Sequence, residues 1–200
     1  VRDMQTGKTT LETKGPTGAA GDRGAELFAA VSITPDGRYI AFTSYSSNLV
    51  AGDDNNNMDV FLRDRQAGKT ALVSVRLPGH SGFGAYSYNP FVSDNGRLVA
   101  FSSLESNLAP GGSNGRANIF VRDMVNKATA RLALGLPDGF PNGDLQLRGM
   151  SPDGRFVVFV TDAPNMVAND TNGFFDVFLH DRNTQGTTRL SVSSGNVQGN

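Results

Sequence analysis

Cysteine is absent from the 200 residues, which excludes disulfides, thiolate metal sites and cysteine nucleophiles. Glutamate is scarce: Glu12, Glu26 and Glu105 stand against 16 aspartates. Exposed helix faces ordinarily draw on Glu, whereas the 24 glycines and 17 asparagines found here are turn residues and poor helix formers. The composition therefore predicts strands and turns. No apolar run exceeds a handful of residues, so no helical membrane span is expected. A formal net charge of -1, with no block of like charge, gives no basis for a nucleic-acid surface or an anionic membrane. Only His80 and His180 could serve a serine-hydrolase triad, and no G-x-S-x-G elbow accompanies them.

What the chain does contain is an internal repeat. "TPDGR" at 34–38 returns as "SDNGR" at 93–97 and "SPDGR" at 151–155, with Gly37, Gly96 and Gly154 spaced 59 and 58 residues apart. "DVFLRD" at 59–64 returns as "NIFVRD" at 118–123 and "DVFLHD" at 176–181. The opening "VRD" matches the end of one more copy, so the chain is read as cut from a longer protein, and any export signal would lie outside it. Each unit reads as four short strands rich in Val, Ile, Phe and Thr. The first precedes the "PDG" turn, the second follows it ("RYIAFTS", 38–44), the third is "DVFL" and the fourth is "TALVSV" (70–75). Pro35 presets a type I turn and Gly37 supplies positive φ; Gly68 does the same in the second hairpin. Asp3, Asp64, Asp123 and Asp181 are expected to accept backbone N–H bonds across that second turn.

Tandem four-stranded units too small to bury both faces stack on one another, and strand-only repeats of this length favour a β-propeller. The stretch "SPDGRFVVFVT…DVFLHDRNTQGTTRLSV" resembles the WD40-like PD40 repeat of the TolB-like β-propellers. The resemblance implies an all-β fold of blades at 25–82, 83–140 and 141–195. Residues 1–24 would end a preceding blade, and 196–200 would begin another. Rings of six or seven such blades need roughly 350–400 residues, so an open arc rather than a closed ring is expected, with terminal blades prone to self-association. The repeat occurs in periplasmic translocation proteins, cell-surface proteins and propeller domains of peptidases. It therefore implies a non-catalytic protein- or peptide-binding module, or the accessory propeller of a larger hydrolase, in a periplasmic, cell-surface or secreted protein. One departure is Asp94, where the other turns carry Pro35 and Pro152; a less rigid turn is expected.

The candidate chemistry lies in the long loops. Asp53, Asn55, Asn57 and Asp59 fall at alternate positions, like the start of an oxygen-rich calcium loop. The third unit keeps Asp170, Asn172 and Asp176, with Phe174 in the remaining place, while the second has Gly112, Asn114, Arg116 and Asn118. Ca2+ is thus the one cofactor the residues suggest. The competing reading makes Asp59, Asp176 and Asn118 caps that bind loop N–H groups at the start of a strand. Asn48, Asn107 and Asn165 recur and are expected to hold the long loops through Asx-type turns. His180 stands where the other units have Arg63 and Arg122, and reads as an exposed strand residue; His80 falls in a loop. Phe83, Tyr86 and Tyr88 could line a ligand-facing rim, or pack between blades.

Overall fold

The computed structural model describes residues 1–23, 30–78, 85–112, 114–132, 134, 136, 139–195 and 197. Among them are no helices, and the strands form three separate four-stranded antiparallel sheets. The first blade is β1 (Val31–Ile33), β2 (Tyr39–Ser44), β3 (Asp59–Asp64) and β4 (Lys69–Leu72). The second is β5 (Ser87–Val92), β6 (Leu98–Ser103), β7 (Asn118–Asp123) and β8 (Ala128–Arg131). The third is β9 (Gln146–Met150), β10 (Phe156–Thr161), β11 (Asp176–Asp181) and β12 (Gly186–Arg189). Strand order follows chain order in each, so the structure is an arc of three up-and-down blades with no closed barrel. Ala29, which the sequence reading put at the start of the first strand, lies outside the described residues.

Register explains why the phenylalanines recur. Phe42 pairs with Phe61, Phe101 with Phe120 and Phe159 with Phe178 across the two central strands. Their rings stack at 5.7, 5.9 and 5.6 Å, and all six are buried. The alternate residues point the other way. Ala41, Val60, Leu62 and Val73 of the first blade share a core cluster with Val92, Val99 and Phe101 of the second. Ala100, Ile119, Val121 and Leu132 of the second do the same with Leu147, Val157 and Phe178 of the third. The apolar core therefore sits between blades, and no blade could bury it alone.

The turns carry their expected chemistry. Gly37, Gly96 and Gly154 have φ of 70°, 69° and 73°. In each, the preceding Asp36, Asn95 or Asp153 accepts the backbone N–H of Arg38, Arg97 or Arg155. Those arginines then pair with Asp64, Asp123 and Asp181, tying one hairpin to the next. These pairs lie at the surface, where each contributes modestly. Asp3, Asp64, Asp123 and Asp181 all accept turn N–H bonds, as the sequence predicts. Residues 1–20 form an incomplete sheet: Arg2 bridges to Thr9, and Arg2 Nη1 bonds Thr9 Oγ1. Arg63 with Thr70 and Arg122 with Thr129 repeat that contact between the third and fourth strands of their blades.

One expectation is corrected and another extended. His180 is not exposed: it is 0% accessible, because its strand position faces the second blade, and Nδ1 meets Thr187 Oγ1 at 3.0 Å. Asp94 does more than loosen its turn. Lacking the proline ring, it has a free N–H, which bonds the Pro152 carbonyl of the next blade at 2.9 Å.

Candidate functional site

The two hairpin turns of each blade share one end of the arc. The opposite end carries the long loops between second and third strands, at 45–58, 104–117 and 162–175. Asparagines fix them, but not by turns within their own loops. Asn48 accepts the N–H of Asp22 (3.0 Å) and donates to the Ala20 carbonyl (2.9 Å). Asn165 accepts the N–H of Asn142 (2.9 Å) and donates to the Phe140 carbonyl (3.0 Å). Each asparagine thus clamps the segment entering its blade onto that blade's long loop. Asn107 differs: its backbone carbonyl accepts the Leu77 N–H at 2.8 Å, and among the described residues its buried Oδ1 has no hydrogen-bond partner.

Within the first loop, Asn55 Nδ2 donates to Asp59 Oδ2 at 2.7 Å, and Asn55 Oδ1 accepts the N–H of Asn57 at 2.6 Å. Asp59, buried, also accepts from Ser74 Oγ at 2.5 Å, and Ser74 Oγ in turn accepts the Val60 N–H. Asp53 lies beside them in a cavity of about 240 Å³ lined by Asn55, Leu72, Ser74 and Arg76. Burial, and then the charge of Asp59, push Asp53 up to about 6. Burial likewise raises Asp59, against the bonds from Ser74 and Asn55.

The third loop repeats this frame with one change. Asn172 Nδ2 approaches Asp176 Oδ2 at 3.4 Å, and Ser191 bonds Asp176 and the Val177 N–H. Here, however, Arg189 reaches in from β12, 3.2 Å from Asp170 and 3.6 Å from Asp176. The guanidinium supplies the positive charge between the two carboxylates. Register puts Leu72 at that position in the first blade. In the second blade Asn118 replaces the acid and donates to Asn114 Oδ1 and the Arg116 carbonyl. Among the described residues, no group of three or more acids and histidines gathers in a way that could hold a metal. The first-blade frame offers two carboxylates, with amide and hydroxyl oxygens.

The loop end also collects exposed apolar side chains. Tyr86 packs edge-on to Tyr45 at 6.3 Å across the junction of the first two blades, and the N–H of Leu104 bonds the Tyr86 carbonyl. Tyr86 and Leu104 are exposed, as are Phe174 (62%) and Phe175 (57%) in the third loop. Tyr88 is half-buried, and burial raises its hydroxyl pKa. The candidate residues His80 and Phe83 lie outside the described residues. Sequence reading missed Arg189, Ser74 and Ser191; only the register between third and fourth strands shows that they meet the loop acids.

No family model matches this sequence, and no curated protein matches it significantly. Solved structures do. TolB from Acinetobacter baumannii superposes with a TM-score of 0.52 at 20% identity, over 94% of this chain and 36% of that one. A putative TolB from Agrobacterium tumefaciens gives 0.50 at 16% identity, over 82% and 50%. The chain folds as an open TolB-like β-propeller arc. It spans about a third to a half the length of those two structures. Tricorn protease also superposes, with a TM-score of 0.51 at 13% identity over 98% of this chain and 21% of that one. At these identities the likeness concerns the propeller scaffold alone. No helix of the described propeller is long and apolar enough to cross a membrane.

Proposed function

We propose that this propeller arc is a non-catalytic module that binds protein or peptide at its loop end. The observation that carries the reading is the exposure of Tyr86 and Leu104 in the second blade and of Phe174 and Phe175 in the third, at the same end of the arc. Exposed aromatic and aliphatic anchors on a rigid frame are what peptide recognition uses. The test is panning of phage-displayed peptides on the chain, followed by Tyr86→Ser and Leu104→Ser. Each substitution should weaken the selected peptides at least about tenfold while leaving the melting temperature within a degree or two. Peptides that bind both variants as tightly as the parent would remove the proposal. A periplasmic, cell-surface or secreted location belongs to the same proposal, as does self-association. The alternative, an accessory propeller beside a hydrolase domain, has the tricorn superposition in its favour; a hydrolase segment in the full reading frame would decide for it.

A second reading is a Ca2+ site at Asp53, Asn55, Asn57 and Asp59. The internal contrast favours it: the same carboxylate frame encloses Arg189 in the third blade, whereas in the first Leu72 takes that position and the nearby Arg76 is paired with Glu105. By that contrast Asp170, Asn172 and Asp176 have their cation built in. The raised Asp53 carboxyl favours folding while protonated, and that contribution is lost as pH rises through about 6. Above that pH the pair of charges calls for a counter-ion. At pH 7.5, Ca2+ at a hundredfold excess over its Kd should stabilise by about 2.7 kcal/mol, raising Tm by roughly 5–10 °C. The rise should vanish at pH 5 and in Asp53→Asn. Equal melting temperatures in Ca2+ and in chelator at pH 7.5 would end this reading.

A further inference from the structure

Glu12 shows what one interface of the arc contains and another lacks. It lies on the incomplete N-terminal sheet, where its Oε1 accepts from Arg65 Nε at 3.0 Å and its Oε2 is 3.5 Å from Arg63 Nε. Arg65 meanwhile donates Nη1 to the Gly37 carbonyl at 2.8 Å. The third blade repeats this arginine as Arg182, which donates Nη1 to the Gly154 carbonyl at 2.7 Å. The two guanidinium groups are anchored in the same way on equivalent turns.

Their surroundings differ. Counting from Asp3 and Asp123, the position of Glu12 is Leu132 in the second blade, and Leu11 is Arg131. Arg182 therefore faces Leu132 where Arg65 faces a carboxylate. Instead of that carboxylate there is a cavity of about 210 Å³ between the second and third blades, lined by Val121, Ala130, Arg131, Leu132, Arg182 and Gln185. Among the described residues neither arginine has an acidic partner in a salt bridge. Arg131 donates to the Gly139 carbonyl and lies 3.9 Å over the Phe140 ring, and Asp123, whose charge reaches Arg182, is committed to Arg97. Burial lowers the pKa of both, a penalty that an incoming anion would relieve. His180, in the place of Arg63, keeps a buried Nε2 that has no hydrogen-bond partner among the described residues.

We propose that this cavity is a carboxylate-binding pocket that takes a glutamate side chain of a peptide ligand, held by Arg182 and Arg131 with Gln185 at the rim. Glu12 is the built-in version of that ligand two interfaces earlier. The identity of the ligand as a peptide rests on the function proposed above; the pocket itself does not, since it lies between strands and turns rather than among the long loops.

The test is an NMR titration of the chain carrying 15N-arginine. The probes are N-acetylglutamate N-methylamide, its glutamine analogue, and N-acetylalanine, which offers only a chain-terminal carboxylate. The Arg182 Nε–Hε signal should shift saturably with the glutamate probe and stay fixed with the glutamine one. Arg182→Met uses a residue the fold already accepts at this position, as Met124. It should weaken the glutamate probe about tenfold, the worth of one charged hydrogen bond. A response to N-acetylalanine alone would overturn the side-chain assignment. No shift with any probe, or unchanged affinity in Arg182→Met, would overturn the pocket. Neither failure bears on the peptides selected at Tyr86 and Leu104, so the two proposals fail separately.

Discussion

Glu12→Gln is expected to lower the unfolding free energy by about 3 kcal/mol, near the cost of breaking a buried ion pair from one side. The side chains of Glu12 and Arg63 are 13% and 10% exposed, so the substitution strands a buried guanidinium without a counter-charge. Arg65, at 30%, is better hydrated and should lose less. Burial alone would raise the Glu12 pKa, but the hydrogen bonds from Thr10 and Arg65, with the charges of both arginines, hold it below the usual range. Its stabilisation is therefore complete above the ordinary glutamate pKa and is lost as pH falls through the depressed value. Urea unfolding at pH 7 should show the full difference, and the two proteins should converge near pH 3. Hydrogen exchange should place the loosening in residues 1–22, the segment that Glu12, Lys14 and Asp22 dock on the first blade through Arg63, Thr70 and Ser47. Equal stability at pH 7 would show that the N-terminal sheet is held by something else.

Gly96→Ala should be comparably damaging, for a reason unrelated to charge. At φ of 69° a Cβ already costs about 1 kcal/mol. Here it would also come within 2.5 Å of the Tyr39 ring, which lies beneath the Arg38 guanidinium in the interface between the first two blades. Ring, guanidinium and turn cannot all keep their places, and such overpacking adds another 1–3 kcal/mol. Gly68→Ala supplies the control: its φ is 65°, with nothing within 4 Å of the added methyl. The excess of the first loss over the second isolates the contact between blades. In the double variant Gly96→Ala/Tyr39→Ala, the losses should fall short of their sum. Equal losses at Gly96 and Gly68 would contradict the close approach of Gly96 to the Tyr39 ring.

The repeat makes most of the fold readable in the sequence. Glycine at the tight turns, the "DVFL" strands and the paired phenylalanines recur in register, and each is determined by local chemistry. Less readable were features that depend on which strands become neighbours. His180 looks like a surface residue until the packing of blade on blade is known. Arg189 and Asp170 are far apart along the loop and strand pattern, and only strand register shows that they meet. The asparagines were recognisable as structural from their recurrence, yet their partners lie in the preceding linker, whose own sequence varies between units. In the first strands, positive φ at Asn89 and the register shifts in β5 and β9 blur the alternation that would otherwise mark them.

The turn residue that bonds forward from Asp94 to Pro152 makes the two junctions of the arc unequal. A proline at that corner stiffens its own hairpin but has no hydrogen to give, so the first and second blades lack this rivet along the turn-side rim. Where a unit exchanges proline for another residue, hairpin rigidity is traded for cohesion between neighbours, and pulling on the chain ends should part the seam beside Pro35 before the seam beside Asp94.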